Sequence, residues 1–132
     1  MSNFFQIEFV GDSIPQVGTF YLSGNENECV LKLCLGSQTF NATASDYFEA
    51  LCMIRRQLEP FGIRPACYGA SLNVFPSGMA RDMGGGLHAY RLTLGQAGRI
   101  EDLVSIFETG EDIQPATVEE QSAFHDSWLN SF

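Results

Sequence analysis

Polar and apolar positions alternate through the first forty residues. In FFQIEFV, Phe5, Ile7 and Phe9 fall on one side of an extended chain and Gln6 and Glu8 on the other, because successive strand side chains point to opposite faces. TFYLS repeats the pattern with Phe20 and Leu22. In CVLKLCLGSQTFNAT, Cys29, Leu31, Leu33 and Leu35 share a face, Gly36-Ser37 suits a two-residue II′ turn, and Phe40 and Ala42 follow in register. The pattern predicts a four-stranded antiparallel meander over residues 3–43.

The period then lengthens to that of a helix. Tyr47, Leu51, Ile54 and Leu58 form a stripe flanked by Phe48 and Cys52, Thr43 or Ser45 can cap its start, and Pro60 and Gly62 end it. A helix over about 45–59 follows, with Arg55 and Arg56 in the last turn, where cations complement the helix dipole. RPACYGAS reads as a strand, Leu72 to Gly86 as no regular element, and LHAYRLTLG as a strand with Tyr90, Leu92 and Leu94 on one face. DLVSIFET is ambiguous by period, and its β-branched content favours a strand. Pro115, Thr117 and Glu120 make a capping-box start for a helix over 117–131, in which Phe124, Trp128 and Phe132 recur at i+4 with Leu129 beside them. The expected fold is one α+β domain over residues 1–132, an antiparallel sheet of six to seven strands carrying two helices.

At 132 residues the chain is long enough for a real core, and 45% hydrophobic with 17% charged residues is the profile of a globular domain. No segment approaches the roughly 18 uninterrupted apolar residues of a membrane span, and the N-terminal stretch has no basic region of a secretory signal, so a cytoplasmic protein without membrane contact is expected. Cys29, Cys34, Cys52 and Cys67 lack CxxC spacing, which points to reduced thiols and, with two His, against a structural zinc site or other metal. The net charge of −9 is uneven. Residues 1–54 carry −5, residues 55–99 carry +4 from six Arg against Glu59 and Asp82, and residues 100–132 carry −8 with no Lys or Arg. Such a C-terminal third repels nucleic acid and anionic lipid, and steers a basic protein toward it.

The stretch ACYGASLNVFPSGMARDMGGGLHAY, residues 66–90, gathers the residue types that catalysis uses. Gly84 to Gly86 precede a strand and lack both the G-x-G-x-x-G frame and a following helix, so they do not read as a phosphate cradle; they permit positive φ or close backbone approach instead. Cys67 with His88 and Asp82 could form a thiol triad, giving a small thiol-dependent hydrolase as the alternative function, yet Cys67 sits in an apolar strand where inert packing is usual. Ser77 in FPSGM lacks a nucleophile elbow, and ETGEDIQP lacks the register of a calcium loop. No catalytic residue and no cofactor is expected. The remaining feature is the 15-residue connection 72–86, too long for an idle link and too apolar for a solvated tether. Phe75, Met79, Arg81 and Asp82 on it, with Glu101, Asp102, Glu108, Glu111 and Asp112 of the acidic segment, are the candidate partner-binding residues.

The runs FGIRPACYGASLNVFPSGMARDMGGGLHAYRLTLG and IFETGEDIQPATVEEQ resemble small bacterial proteins encoded beside Rhs-type and related polymorphic toxins, over about residue 45 to the end. The resemblance implies a cytoplasmic immunity protein that binds and blocks one cognate toxin domain, with no catalytic residues to carry over. A third possibility is an assembly module that self-associates through a sheet edge or the Trp128 helix.

Overall fold

In a computed structural model that describes residues 3–11, 16–25 and 27–132, the chain forms eight strands in two antiparallel sheets and three helices. Asp12 and Glu26, counted in the charge above, lie outside the described residues. Strands β1 (Phe4–Val10), β2 (Gln16–Gly24), β3 (Cys29–Leu35) and β4 (Gln38–Ala44) build the expected meander, and β5 (Arg64–Pro65) adds to the far side of β1, giving the order β4-β3-β2-β1-β5. Gly36, with φ of 61°, opens the β3–β4 turn, and no residue other than glycine has positive φ among the described residues, as a II′ turn with Gly first requires. Ile7, Phe9, Phe20, Leu31, Leu33, Leu35 and Ala42 cover the inner face of this sheet and are buried.

Helix α1 (Tyr47–Leu58) packs its stripe of Phe48, Leu51, Ile54 and Leu58 on that face, over β3 and β4. Its cap is Asp46, not Thr43 or Ser45: β4 runs on to Ala44 with Thr43 paired to Val30, so the chain leaves the sheet later than expected, and Asp46 accepts the Glu49 N–H at 2.8 Å. Arg56 ends the helix in solvent, but Arg55 does not serve the dipole from outside. It lies on the buried side, 1% exposed.

The α+β fold with antiparallel strands forms as expected, with the difference that its strands divide between two sheets. RPACYGAS stops being a strand after Pro65 and closes into a buried 3-10 turn at Tyr68–Ala70, which separates the two sheets. A side chain at Gly69 would meet Leu51 and Ile106 at 2.7 and 2.8 Å, so the turn packs tightly between α1 and the second layer. These residues are apolar because they are enclosed on every side, which a strand pattern does not distinguish. The second sheet has β7 (His88–Arg91) between β6 (Val74–Phe75) and β8 (Leu103–Ser105), so DLVSIFET does supply a strand. The core side of β7 is Ala89, while Tyr90 is half-buried and Leu94, past the strand end, is exposed.

Residues 72–86 are not an irregular loop. They hold β6 and a third helix, α2 (Gly78–Gly84), capped by the Ser77 hydroxyl, which accepts the Ala80 N–H at 3.0 Å. Helix α3 (Val118–Leu129) starts with the expected capping box: Glu120 N–H to Thr117 Oγ1 at 3.1 Å and Thr117 N–H to Glu120 Oε1 at 2.8 Å. Its inward residues are Val118 and Gln121, with Phe124, His125 and Trp128 half-buried; of the expected stripe only Phe132, with its neighbour Leu129, is exposed.

Candidate functional site

The two segments expected to meet a partner converge on the second sheet. Helix α2 links β6 to β7, and β8 follows directly on the acids Glu101 and Asp102, so Met79 and Met83 of α2 line a groove of about 410 Å³ with His88, Tyr90 and Leu103. Met79 is 71% and Met83 82% exposed. They are four residues apart on one helix face, and water covers apolar surface that a soluble domain ordinarily buries or presents to a partner. Asp82, beside Met83, is exposed on the same helix.

The other candidates are committed within the molecule to different degrees. Phe75 stands between layers, edge-on to Phe48 of α1 at 5.1 Å and stacked on His125 of α3 at 3.9 Å. The stack continues to Trp128, whose indole N–H donates to the Gln96 carbonyl at 2.8 Å and ties α3 to the 95–98 turn. Arg81 turns back to α1, where it meets Asp46 at 2.9 Å and Glu49 at 3.6 Å and lies 5.5 Å from the Phe48 ring. Glu101 and Asp102 face Arg99 at 3.8 and 3.6 Å. Asp112 accepts from the Tyr68 hydroxyl at 2.6 Å and pairs with Arg91 at 3.4 Å; the Tyr68 hydrogen bond chiefly holds its carboxyl below the ordinary range. Glu108 and Glu111 are exposed, with no ion pair among the described residues. The acidic segment is therefore partly offset by Arg91 and Arg99, whose approach is invisible in a linear charge count.

The residues that suggested catalysis have other tasks. Cys67 is fully buried, and burial pushes its thiol up to about 11, while His88 is exposed on β7 opposite Ser105; no hydrogen bond joins them. Ser77 caps α2. Gly85 and Gly86, with φ of 65° and 69°, end α2 and bring the chain against the start of α1, where Gly85 accepts the Tyr47 N–H at 2.7 Å and a side chain at Gly86 would sit 2.8 Å from Asp46 Oδ1. Positive φ and close approach are what the triple glycine provides. No group of three or more His, Cys, Asp or Glu suited to a metal occurs among the described residues.

Sequence reasoning missed Met83, Tyr90 and Leu103 as groove lining, although the Met79–Met83 spacing was available as a signal. It also missed a buried polar centre. Arg55 donates to the Gly69 carbonyl at 3.2 Å, the Ala116 carbonyl at 2.9 Å and Gln121 Oε1 at 2.6 Å, and Gln121 Nε2 in turn faces the carbonyls of Gly69, Ser71 and Val74 at 3.0, 2.9 and 2.7 Å. This centre fixes the 3-10 turn, the start of β6 and the start of α3 to α1, and so positions the elements that carry the groove.

His125 gives the stability of the fold a pH dependence. Burial in the aromatic stack lowers its pKa from the ordinary 6.5. The unfolded chain then binds a proton at higher pH than the folded one, so stability is full above about 6.5 and falls as pH drops toward the lowered value. Unfolding midpoints between pH 7.5 and 5 should decline for the natural chain and decline less for His125→Phe. Equal slopes would mean that His125 is not the group responsible. No protein-family model and no curated protein matches the chain.

Proposed function

We propose that the protein is a binding module that neutralises a toxin, an immunity protein of the kind encoded beside Rhs-type polymorphic toxins, acting in the cytoplasm on the cognate toxin domain. The observation that carries the reading is the methionine groove: two largely exposed Met on α2 beside Tyr90 and Leu103 of the second sheet, in a chain whose net charge is −9. Methionine adapts to a partner's surface, and the chain's net negative charge favours a basic partner and speeds its encounter. Burial of Cys67 weighs against the thiol hydrolase as the alternative, since its thiolate is strongly disfavoured at neutral pH. No helix among the described residues is long and apolar enough to cross a membrane.

Co-expression with the toxin encoded next to it should yield a stable complex and protect the cells. Met79→Glu with Met83→Glu should weaken that complex by about 30-fold or more, the effect of losing roughly 2 kcal/mol at a central contact, while the unfolding midpoint stays near that of the natural chain. A complex of unchanged affinity would remove the groove from the interface, and absence of any complex or protection would end the immunity reading.

A further inference from the structure

Three of the four sheet edges are blunted. β5 and β6 are two residues long, with Pro65 in one and Pro76 directly after the other, and β8 is three residues long. Short strands and proline are how soluble proteins keep edges from pairing with another chain. β4 is the exception. It is a seven-residue edge strand, QTFNATA, with no proline, glycine or charged residue, in a chain whose net charge is −9.

The direction of its unpaired backbone groups follows from the turn. Gly36-Ser37 is a two-residue connection, so its closing pair, Leu35 and Gln38, exchanges hydrogen bonds across the hairpin, and bonding toward β3 then recurs at every second residue. Phe40, Ala42 and Ala44 thus face β3 with their N–H and C=O groups, and Thr39, Asn41 and Thr43 face outward. An independent contact agrees: the Asn41 carbonyl accepts from Gln57 Nε2 of α1 at 3.3 Å, a side chain standing where a neighbouring strand would be.

We propose that β4 pairs antiparallel with β4 of a second copy of this chain, with Asn41 on the two-fold axis and the exposed Gln57 amide giving up the Asn41 carbonyl to the second copy's Asn41 N–H, joining two five-stranded sheets into one of ten strands. The sequence is self-complementary in that register. Thr39 opposes Thr43, Asn41 opposes Asn41, and Phe40 opposes the small Ala42 on the inner face, each combination occurring twice about the axis except the central one. The outward-facing pairs 39–43 and 41–41 are hydrogen-bonded pairs, and no like charges meet within the strand. The isologous symmetry closes at two, which separates this contact from open-ended aggregation. Met53, one helical turn before Gln57 and partly buried beside the core, lies on the α1 flank next to this edge, and helix α1 with its two-fold mate would add side-chain contact to the strand pairing.

Sedimentation equilibrium over a wide concentration range should give a species of about twice the chain's 14.6 kDa, and Asn41→Lys, which sets two ammonium groups against each other on the axis, should give the monomer mass. In the natural chain the backbone amides of Thr39, Asn41 and Thr43 should exchange with solvent more slowly as concentration rises. A natural chain that is monomeric throughout, a polymer without a discrete dimer, or a dimer in which these amides exchange at a concentration-independent rate would each overturn the proposal, whether or not the Asn41 variant folds. None of these outcomes bears on toxin binding at the methionine groove.

Discussion

Gln121→Leu is expected to lower the unfolding free energy by about 4 kcal/mol, the largest effect of any single polar substitution in this chain. Leucine fills similar space but removes the Oε1 that receives Arg55 at 2.6 Å and the amide that faces three carbonyls. Among the described residues Arg55 has no carboxylate partner and its Nε no hydrogen-bond partner, and burial already lowers its pKa, so the guanidinium depends on the acceptors that remain. Gln121→Glu should not rescue stability, because a carboxylate would answer Arg55 and repel the carbonyls of Gly69, Ser71 and Val74. Arg55→Met removes the buried charge and should cost less than Gln121→Leu, and the double variant should be more stable than the sum of the two losses. Urea unfolding of the natural chain and the four variants measures this directly. A loss below about 1 kcal/mol for Gln121→Leu, or strict additivity, would show that the centre is not coupled.

Phe107→Ala should cost about 3 to 5 kcal/mol and lower the thermal midpoint by about 15 °C. Phe107 comes from the chain just after β8, yet its ring packs at 5.1 Å on Phe5 of β1 and 5.4 Å on Phe20 of β2. It joins the second sheet to the inner face of the first, where the sheets share no hydrogen-bonded strand. The cavity left by its removal lies between two separately built layers, so both should loosen. Calorimetry of the variant checks the midpoint, and a shift under about 3 °C would mean that the layers are held elsewhere.

These two residues mark what sequence could and could not convey. The meander was legible because its pairing is local: each strand meets the next across a short connection, and alternation alone sets which face is buried. The capping box of α3 was legible for the same reason, with Thr117 and Glu120 acting within one turn. The division into two sheets was not, because it depends on a 3-10 turn whose residues look like a strand when counted by hydrophobicity. The inward course of Arg55 left a faint trace, since position 55 follows Cys52 and precedes Leu58 on the buried stripe, but arginine in a last turn has an adequate surface explanation. Among the candidate partner residues, Met79 and Asp82 proved exposed, whereas Phe75 and Arg81 turned inward for want of any linear signal that α1 and α3 would approach them.

The bond between Arg55 and Gln121 spans 66 residues, and the Ala116 carbonyl that completes it is almost as distant. During synthesis the first sheet and α1 leave the ribosome long before either acceptor exists, so α1 then carries a charge on the side it must bury. Stable docking of α1 is expected to wait until Ala116 and Gln121 have been made. A message cut short before Gln121 would therefore yield a chain with most of its core residues present and a buried charge left unanswered, a product that cellular proteases can recognise. The same residue that stiffens the folded protein thus makes its assembly conditional on synthesis having passed Gln121.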